Sequence, residues 1–266
     1  MTDSLSRAPL KPAAARGAPL ISVRGISKRF AGLRALNGID FDVAQGSITS
    51  IIGPNGAGKT TLFNVIAGDE PPTSGTVMFD ERPLIGLAPN EICRLGVSRT
   101  YQSVRPFFGL SVRNNVLVAL LYGRRAVPAR GELDERMAGI LEFVHLAGKA
   151  ERRAEQLTPL DRKRLELARA LATEPRLLLL DELIAGLTPT ETGEMMDTVR
   201  AINASGVTIL LIEHVMKAVM GLSHTVIVLH HGEKIAEGEP QAIARDQAVI
   251  RAYLGDAATA VIPADT

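Results

Sequence analysis

The architecture of this chain follows from one short stretch, Gly53-Pro54-Asn55-Gly56-Ala57-Gly58-Lys59-Thr60-Thr61. The stretch satisfies the pattern G-x-x-x-x-G-K-[ST], and it lies between an apolar segment typical of a buried strand and a helical pattern that begins at Lys59. In such a loop the glycines let backbone N–H groups face phosphate oxygens, and the helix N-terminus adds positive partial charge. Lys59 would then reach the β- and γ-phosphates, and the Thr60 hydroxyl would bind Mg²⁺. The alternative is a glycine-rich turn with a solvated lysine, which the flanking strand and helix disfavour.

Two adjacent carboxylates follow a second apolar segment, Leu177-Leu178-Leu179-Leu180-Asp181-Glu182. Ligands of open α/β sheets lie at the carboxyl ends of the strands, so Asp181 can complete the shell of a Mg²⁺ ion. Glu182 can accept a proton from an attacking water or orient that water. A solvated acidic turn after a buried strand is the alternative, and the phosphate-binding loop makes it the weaker one.

Apolar segments of strand length alternate with helix-spaced patterns along the chain. Strands are predicted at 20–24, 39–43, 47–52, 76–80, 176–180, 207–212, 225–229 and 233–236, and helices at 112–121, 132–146, 161–172, 190–202 and 216–222. Because several of the strands are continuous apolar runs, the alternation predicts a mainly parallel sheet covered on both faces. The helix-rich middle, about 103–165, predicts a helical lobe inserted into this α/β core. Residues 1–18 and 256–266 are predicted to be disordered tails around one domain, 19–255.

The composition argues against several classes of function. Lys and Arg number 30 against 29 Asp and Glu, so the net charge of +1 gives no field that would attract nucleic acid. The single cysteine, Cys93, cannot form an internal disulfide, which suits a reducing, cytosolic compartment. No apolar run is long enough to cross a bilayer, so any contact with a membrane is expected to come through a partner.

With these motifs in this order, the chain resembles the ATP-binding cassette (ABC) family from about Leu20 to Gly255. The resemblance implies a P-loop NTPase fold of the ABC type, an α/β nucleotide-binding domain with an antiparallel β subdomain and an inserted helical subdomain. It implies ATP and Mg²⁺ as cofactors and ATP hydrolysis coupled to transport. It also implies that Phe30 stacks on adenine, that Gln102 contacts Mg²⁺ and the attacking water, and that His214 contacts the γ-phosphate. Taken singly, Phe30 would more often be a core residue and His214 a surface residue.

Further segments narrow the resemblance. They are Arg99-Thr100-Tyr101-Gln102-Ser103-Val104-Arg105-Pro106-Phe107, Ala185-Gly186-Leu187-Thr188-Pro189, Leu211-Ile212-Glu213-His214-Val215-Met216-Lys217 and Ile250-Arg251-Ala252-Tyr253-Leu254-Gly255. They look like ATP-binding subunits of branched-chain amino-acid importers, and cassettes that serve urea, amides or lipopolysaccharide export share several of them. The resemblance implies permease subunits, a second cassette subunit and a periplasmic solute-binding protein as partners. It implies a location at the cytoplasmic face of the inner membrane, held there through the permeases.

One family motif is replaced. The signature Leu-Ser-Gly-Gly-Gln corresponds here to Leu157-Thr158-Pro159-Leu160-Asp161. In the family this segment presents backbone N–H groups to the γ-phosphate bound by an opposing subunit. Pro159 has no N–H, Leu160 adds a side chain where glycine allows close approach, and Asp161 would bring a carboxylate near phosphate. Thr158 and Asp161 can still cap the helix that follows. The replacement predicts a heterodimer, in which another chain's signature completes the site over Lys59, Asp181 and Glu182.

Other functions stay open. A regulatory ABC ATPase would not transport, but such proteins commonly carry two cassettes or long coiled-coil insertions, which this sequence lacks. A subunit that only binds ATP would fit the altered signature, although Glu182 and His214 argue against it. The ATP-binding subunit of a lipopolysaccharide-type exporter is a further alternative.

Overall fold

The computed structural model describes residues 19–101, 106–124 and 130–254. The predicted tails, 1–18 and 256–266, and Gln102 lie outside these ranges. The strands are β1 (Pro19–Phe30), β2 (Leu33–Ala44), β3 (Ile48–Ile52), β4 (Ser74–Phe79), β5 (Arg82–Pro83), β6 (Val97–Arg99), β7 (Leu177–Asp181), β8 (Thr208–Ile212), β9 (Thr225–His230) and β10 (Glu233–Gly238). The helices are α1 (Lys59–Ala67), α2 (Pro89–Leu95), α3 (Val112–Tyr122), α4 (Arg130–Phe143), α5 (Pro159–Ala172), α6 (Pro189–Ala204), α7 (Met216–Leu222), α8 (Pro240–Ile243) and α9 (Gln247–Leu254).

The central sheet has the strand order β10-β9-β3-β8-β7-β6. Neighbouring strands from β9 to β6 are parallel, and β10 joins antiparallel at one edge. Every residue of β3, β7 and β8 is buried. Strands with both faces covered are mostly apolar, which explains the uninterrupted leucines of β7. The predicted mainly parallel sheet is confirmed.

A second sheet, ordered β2-β1-β4-β5, is antiparallel and confirms the expected β section near the N-terminus. Alternate residues of β2, namely Ile39, Phe41 and Val43, are buried and pack in one core cluster with side chains of α1. β1 continues to Phe30 instead of ending at the predicted Arg24, because irregular pairing with β2 carries the strand past a left-handed glycine.

Helices α3, α4 and α5 pack together as a helical lobe. Val116 of α3, Leu141 of α4 and Leu165 of α5 belong to one buried cluster. The predicted helix 132–146 is wrong at its end, since α4 ends at Phe143. His145 has a left-handed backbone with a φ of +59°, and an α-helix cannot continue through that conformation.

The sequence pattern does not predict α2 or β6. β6 has only three residues, too few for alternating burial to be visible in the sequence. It lies at the edge of the central sheet, where Val97 pairs with Leu177 and Arg99 pairs with Leu179. In the described part of the chain, no helix is both long enough and apolar enough to cross a bilayer.

Candidate functional site

The predicted site residues gather at one edge of the central sheet. β3 leads into the phosphate-binding loop, β7 ends at Asp181 and is followed by Glu182, and β8 is followed closely by His214. Because β3, β8 and β7 are parallel neighbours, their carboxyl ends meet at the same edge. The fold therefore brings together the loop, the two carboxylates and the histidine.

Close packing explains two glycines of the phosphate-binding loop. Gly53 has a φ of +149°, and a Cβ atom there would lie 2.0 Å from the carbonyl oxygen of Leu229. Gly58 has a φ of +99°, and a Cβ atom there would lie 2.6 Å from the carbonyl oxygen of Ala35. A side chain at either position would clash with that backbone oxygen, and residues other than glycine rarely adopt a backbone with these positive φ angles. The loop is thus held between β2 and the end of β9, and both positions require glycine.

Lys59 is the first residue of α1 and is only 8% exposed. Its ammonium donates to the carbonyl oxygens of Gly53, at 2.7 Å, and Pro54, at 2.9 Å. Burial lowers the pKa of Lys59, and the negative charges of Glu182 and Asp181 oppose that shift. An anionic phosphate oxygen is a stronger acceptor for this ammonium than the neutral carbonyls that hold it. The lysine is therefore suited to bind a phosphate group entering the loop.

Asp181 ends β7 and is 2% exposed. Its Oδ2 atom accepts a hydrogen bond from the Arg99 guanidinium at 3.0 Å, and its backbone N–H donates to the Thr100 hydroxyl at 3.3 Å. Its Oδ1 atom is buried and has no hydrogen-bond partner among the described residues. Burial raises the pKa of Asp181, and Arg99 opposes that shift.

These groups fit a magnesium ion. Mg²⁺ in nucleotide sites binds through one or two carboxylates together with substrate phosphates and waters. The partnerless Oδ1 atom of Asp181 supplies one such carboxylate oxygen. The hydroxyl of Thr60, an exposed residue of the loop, is a second candidate ligand.

Glu182 has a left-handed backbone, with a φ of +50°, directly after the strand. Its N–H donates to the carbonyl oxygen of Ile212 at 2.9 Å, which ties the turn to β8. Its Oε1 atom lies 3.8 Å from Nδ1 of His214, and both side chains are partly exposed. A carboxylate that solvent can reach, beside an imidazole, can orient or deprotonate a water molecule.

Two charged groups beside Glu182 are not predicted from the sequence. The ammonium of Lys163, in α5, donates to the Glu182 carbonyl oxygen at 3.2 Å. Glu213 is buried, and its Oε1 atom accepts a hydrogen bond from the Ile184 N–H at 2.8 Å. Burial raises the pKa of Glu213 and lowers the pKa of Lys163. The position of Glu213 directly before His214 is the one signal in the sequence that points to either group.

Phe30 lies at the end of β1, in the hairpin formed with β2, and is 41% exposed. The Lys28 ammonium lies 4.8 Å from the centre of its ring. The second strand of this hairpin packs on the phosphate-binding loop at Ala35. Phe30 is therefore not a core residue, and it belongs to the β1–β2 hairpin, which contacts the phosphate-binding loop. Gln102, the remaining residue predicted for the site, lies outside the described residues.

The replaced signature begins helix α5. Thr158 is the N-cap, and its hydroxyl accepts a hydrogen bond from the Asp161 N–H at 3.2 Å, which confirms its predicted capping role. Pro159 occupies the first turn, where its missing N–H costs the helix no hydrogen bond. Asp161 lies inside the first turn and is not the cap.

Two of the replaced residues are held by contacts within the chain. Leu160 is 8% exposed and packs in the core cluster that the helical lobe shares with the central sheet, so its side chain points into the protein. The Oδ2 atom of Asp161 accepts a hydrogen bond from the Lys149 ammonium at 2.5 Å, and Arg164 lies 3.6 Å from Oδ1. The negative charge of Asp161 is thus compensated within the chain. Of the three replacements, the missing N–H of Pro159 remains as the change at the helix N-terminus.

Two family models match the chain. The model described as ABC transporter matches residues 36–185, and the model described as branched-chain amino acid ATP-binding cassette transporter matches residues 233–259. The high-affinity branched-chain amino acid transport ATP-binding protein LivG of Salmonella typhimurium is 44% identical in an alignment 252 residues long, which covers 90% of this chain and 99% of that protein. The corresponding protein BraF of Pseudomonas aeruginosa is 41% identical over the same shares of both chains.

Solved structures of ATP-binding cassettes are similar along the same range. A nucleotide-free cassette from an ABC transporter superimposes with a TM-score of 0.82 at 31% identity, covering 90% of this chain and 100% of that one. The ADP conformation of a cassette from an ABC transporter superimposes with a TM-score of 0.83, at the same identity and coverage.

Proposed function

The chain belongs to the ABC transporter family, and from this premise we propose that it binds and hydrolyses ATP to power solute import through partner permeases. The solute proposed is a branched-chain amino acid or a related amino acid or amide, because the relatives LivG and BraF are named for branched-chain amino acid transport. The observation that carries the proposal is the meeting of the Lys59 loop, Asp181 and Glu182 at one edge of the parallel sheet.

Each site residue has a proposed role. The loop from Gly53 to Thr61 holds the phosphates, with Lys59 on the β- and γ-phosphates, and Phe30 stacks on adenine. Thr60, Asp181 and Gln102 hold Mg²⁺, which when bound neutralises part of the phosphate charge. Glu182 accepts the proton of the attacking water, or orients that water, and His214 contacts the γ-phosphate. The 3.8 Å separation between Glu182 and His214 supports a shared role at the reacting phosphate.

The proposed partners follow from the family. Two cassettes close on ATP in a head-to-tail pair, and the helical lobe transmits this closure to the permease subunits. The chain is thus located at the cytoplasmic face of the inner membrane, attached through the permeases. A periplasmic solute-binding protein delivers the solute on the other side.

Purification of the intact complex from its native membrane tests this function. We expect permease subunits and a second cassette to co-purify, and the ATPase rate to rise when a solute-binding protein loaded with leucine, isoleucine or valine is added. Recovery of the chain without any membrane subunit would favour the regulatory ATPase. Stimulation by lipopolysaccharide in place of amino acids would favour the exporter.

We propose in addition that the chain works in a heterodimer. Each composite site combines the phosphate-binding loop of one subunit with the signature N–H groups of the other. This chain has a complete loop, but Pro159 removes an N–H from the first turn of α5. The partner's signature then completes the site over Lys59 and Glu182, and the site that contains Pro159 is slow or only binds ATP.

The heterodimer predicts a low ATPase rate for the pure chain. At high protein concentration we expect a rate lower by about tenfold or more than that of the pair with the second cassette, because one N–H that stabilises charge on the reacting group is missing. Pro159→Gly restores the N–H and is expected to raise the rate of the pure chain. Pro189→Gly, at the equivalent position of α6 after the cap Thr188, is the matched control and should leave the rate unchanged. Robust, cooperative hydrolysis by the unmodified pure chain would contradict the proposal.

A further inference from the structure

The side chain of Arg99 is buried at the site, although the sequence predicts no role for its charge. It ends the short edge strand β6 and pairs in parallel with β7, two residues before the end of that strand. Its side chain is 6% exposed. A guanidinium is always charged and is almost never buried unless it is paired. Both terminal nitrogens of Arg99 have acceptors, while its Nε atom is buried and has none among the described residues. The contacts of Arg99 therefore indicate what its burial serves.

The guanidinium joins three elements around the site. One terminal nitrogen donates to Oδ2 of Asp181 at 3.0 Å. The other donates to Oδ1 of Asn64 at 2.7 Å and to Oδ2 of Asp69 at 3.1 Å. Asn64 lies in α1, the helix that begins at Lys59, and Asp69 follows the end of that helix. Arg99 thus connects the strand that ends in Asp181 to the helix that carries the phosphate-binding loop.

Aromatic rings fix the plane of the guanidinium. The ring of Tyr101 lies 4.8 Å from its central carbon, and the ring of Phe63 lies 5.7 Å away. Cation–π contacts of this kind favour one orientation of the planar group. Together with the hydrogen bonds they leave the guanidinium little freedom to rotate.

A fixed guanidinium fixes the carboxylate that it holds. Oδ2 of Asp181 is engaged by Arg99, whereas Oδ1 is buried without a partner among the described residues. Without Arg99 the carboxylate could rotate, and either oxygen could turn toward the Thr100 hydroxyl that already accepts a hydrogen bond from the Asp181 N–H. The two oxygens would then no longer be distinguished.

We propose that Arg99 is a positioning residue for the metal site: it holds one oxygen of Asp181 so that the other faces the Mg²⁺ that accompanies ATP, and it ties this carboxylate to α1. The proposal rests on the proposed ATPase function. Lysine cannot replace Arg99 in this role, because a single ammonium on a flexible stem cannot reproduce the planar fork that reaches both α1 and β7. Arg99 does not contact the substrate in this arrangement, so its effect is exerted through Asp181.

The test separates binding of the metal from binding of the nucleotide. Mn²⁺ serves as a spectroscopic probe for Mg²⁺, and its affinity for the complex of the full chain with ATP is measured by electron paramagnetic resonance. ATP affinity without metal is measured in EDTA by calorimetry. For Arg99→Lys and Arg99→Ala we expect Mn²⁺ affinity to fall by about tenfold or more, as is usual when a residue that orients a metal ligand is removed. ATP affinity in EDTA should stay within about twofold of the parent, because the phosphate-binding loop is untouched.

Two further variants make the test independent of folding. Asn64→Ala removes one anchor of the guanidinium and leaves every charge in place, so a smaller loss of Mn²⁺ affinity is expected. Arg176→Ala is the matched control, since this arginine precedes the opposite end of β7, pairs with Asp80 and stacks on Phe79, away from the site. It should lower the melting temperature without changing Mn²⁺ affinity.

The outcomes are distinct. Parent-like Mn²⁺ affinity in folded Arg99→Lys and Asn64→Ala would overturn the role of Arg99, and so would an equal loss in Arg176→Ala. Failure of the unmodified chain to bind ATP, with or without Mn²⁺, would instead overturn the proposed function.

Discussion

Glu182→Gln is expected to lower the ATPase rate of the assembled transporter by about a hundredfold or more, because positioned proton transfer contributes at least that much to catalysis. Glutamine keeps the size of the side chain and a hydrogen-bond acceptor, but it cannot take a proton from water. The left-handed backbone at this position and the bond from its N–H to Ile212 do not depend on the carboxylate. ATP binding should therefore be retained.

The rate is measured as phosphate release, and ATP binding by calorimetry on the same preparation. Glu213→Gln is the matched control. The carboxyl group of Glu213 is buried, which raises its pKa, and it accepts a hydrogen bond from the Ile184 N–H. The neutral side chain of glutamine can be buried in the same way, and its amide oxygen can accept the same hydrogen bond. The rate of this variant should stay within about threefold of the parent, because the hydrogen bond to Ile184 survives. A chain that only binds ATP would lose no activity on Glu182→Gln, and that result would leave hydrolysis to the partner cassette.

Lys59→Met is expected to weaken ATP binding by about tenfold to a hundredfold, the usual effect of losing hydrogen bonds between charged groups. Methionine matches the length of the lysine stem and removes only the ammonium. The carbonyl oxygens of Gly53 and Pro54 lose their donor as well, so the loop is less well held before ATP enters. Hydrolysis should fall further than binding, because the same charge stabilises the reacting γ-phosphate.

Titration of the purified chain with ATP and Mg²⁺ measures this affinity. Lys217 is an exposed lysine of α7, so Lys217→Met controls for the loss of a positive charge. This variant should bind ATP like the parent. Equal affinities for the parent and Lys59→Met would contradict the assignment of the phosphate-binding loop.

The parts of the fold that follow from local pattern are predictable from the sequence. The buried strands β3, β7 and β8 are short segments in which apolar residues dominate, because both faces of each strand are covered. Helix α7 has the predicted bounds, because burial along one stripe of a helix leaves a periodic signal. The meeting of the phosphate-binding loop with Asp181 and Glu182 is predictable as well. In a parallel sheet the carboxyl ends of neighbouring strands lie at the same edge, whichever side chains follow them.

Residues whose role depends on distant partners are not predictable in this way. Arg99 reaches Asp181 only because β6 pairs with β7, and a strand of three residues gives no periodic signal. The contacts of Leu160 and Asp161 are not predictable either, because the surrounding structure sets the orientation of the first turn of α5. Leu160 packs in the core, and Asp161 pairs with Lys149. Sequence spacing identifies a turn of helix, but the surrounding structure decides which of its side chains face inward.

The backbone of Glu182 limits how this position can change over evolutionary time. At a φ of +50°, a β-branched side chain would clash with the backbone. Two independent constraints therefore act on position 182: the reaction requires a carboxylate, and the backbone requires a side chain that is not branched at Cβ. Drift to an amide removes the chemistry and leaves the conformation intact. A chain that loses hydrolysis by this route would still fold, bind nucleotide and pair with its partner cassette, so the loss would be invisible to any assay of folding, binding or assembly.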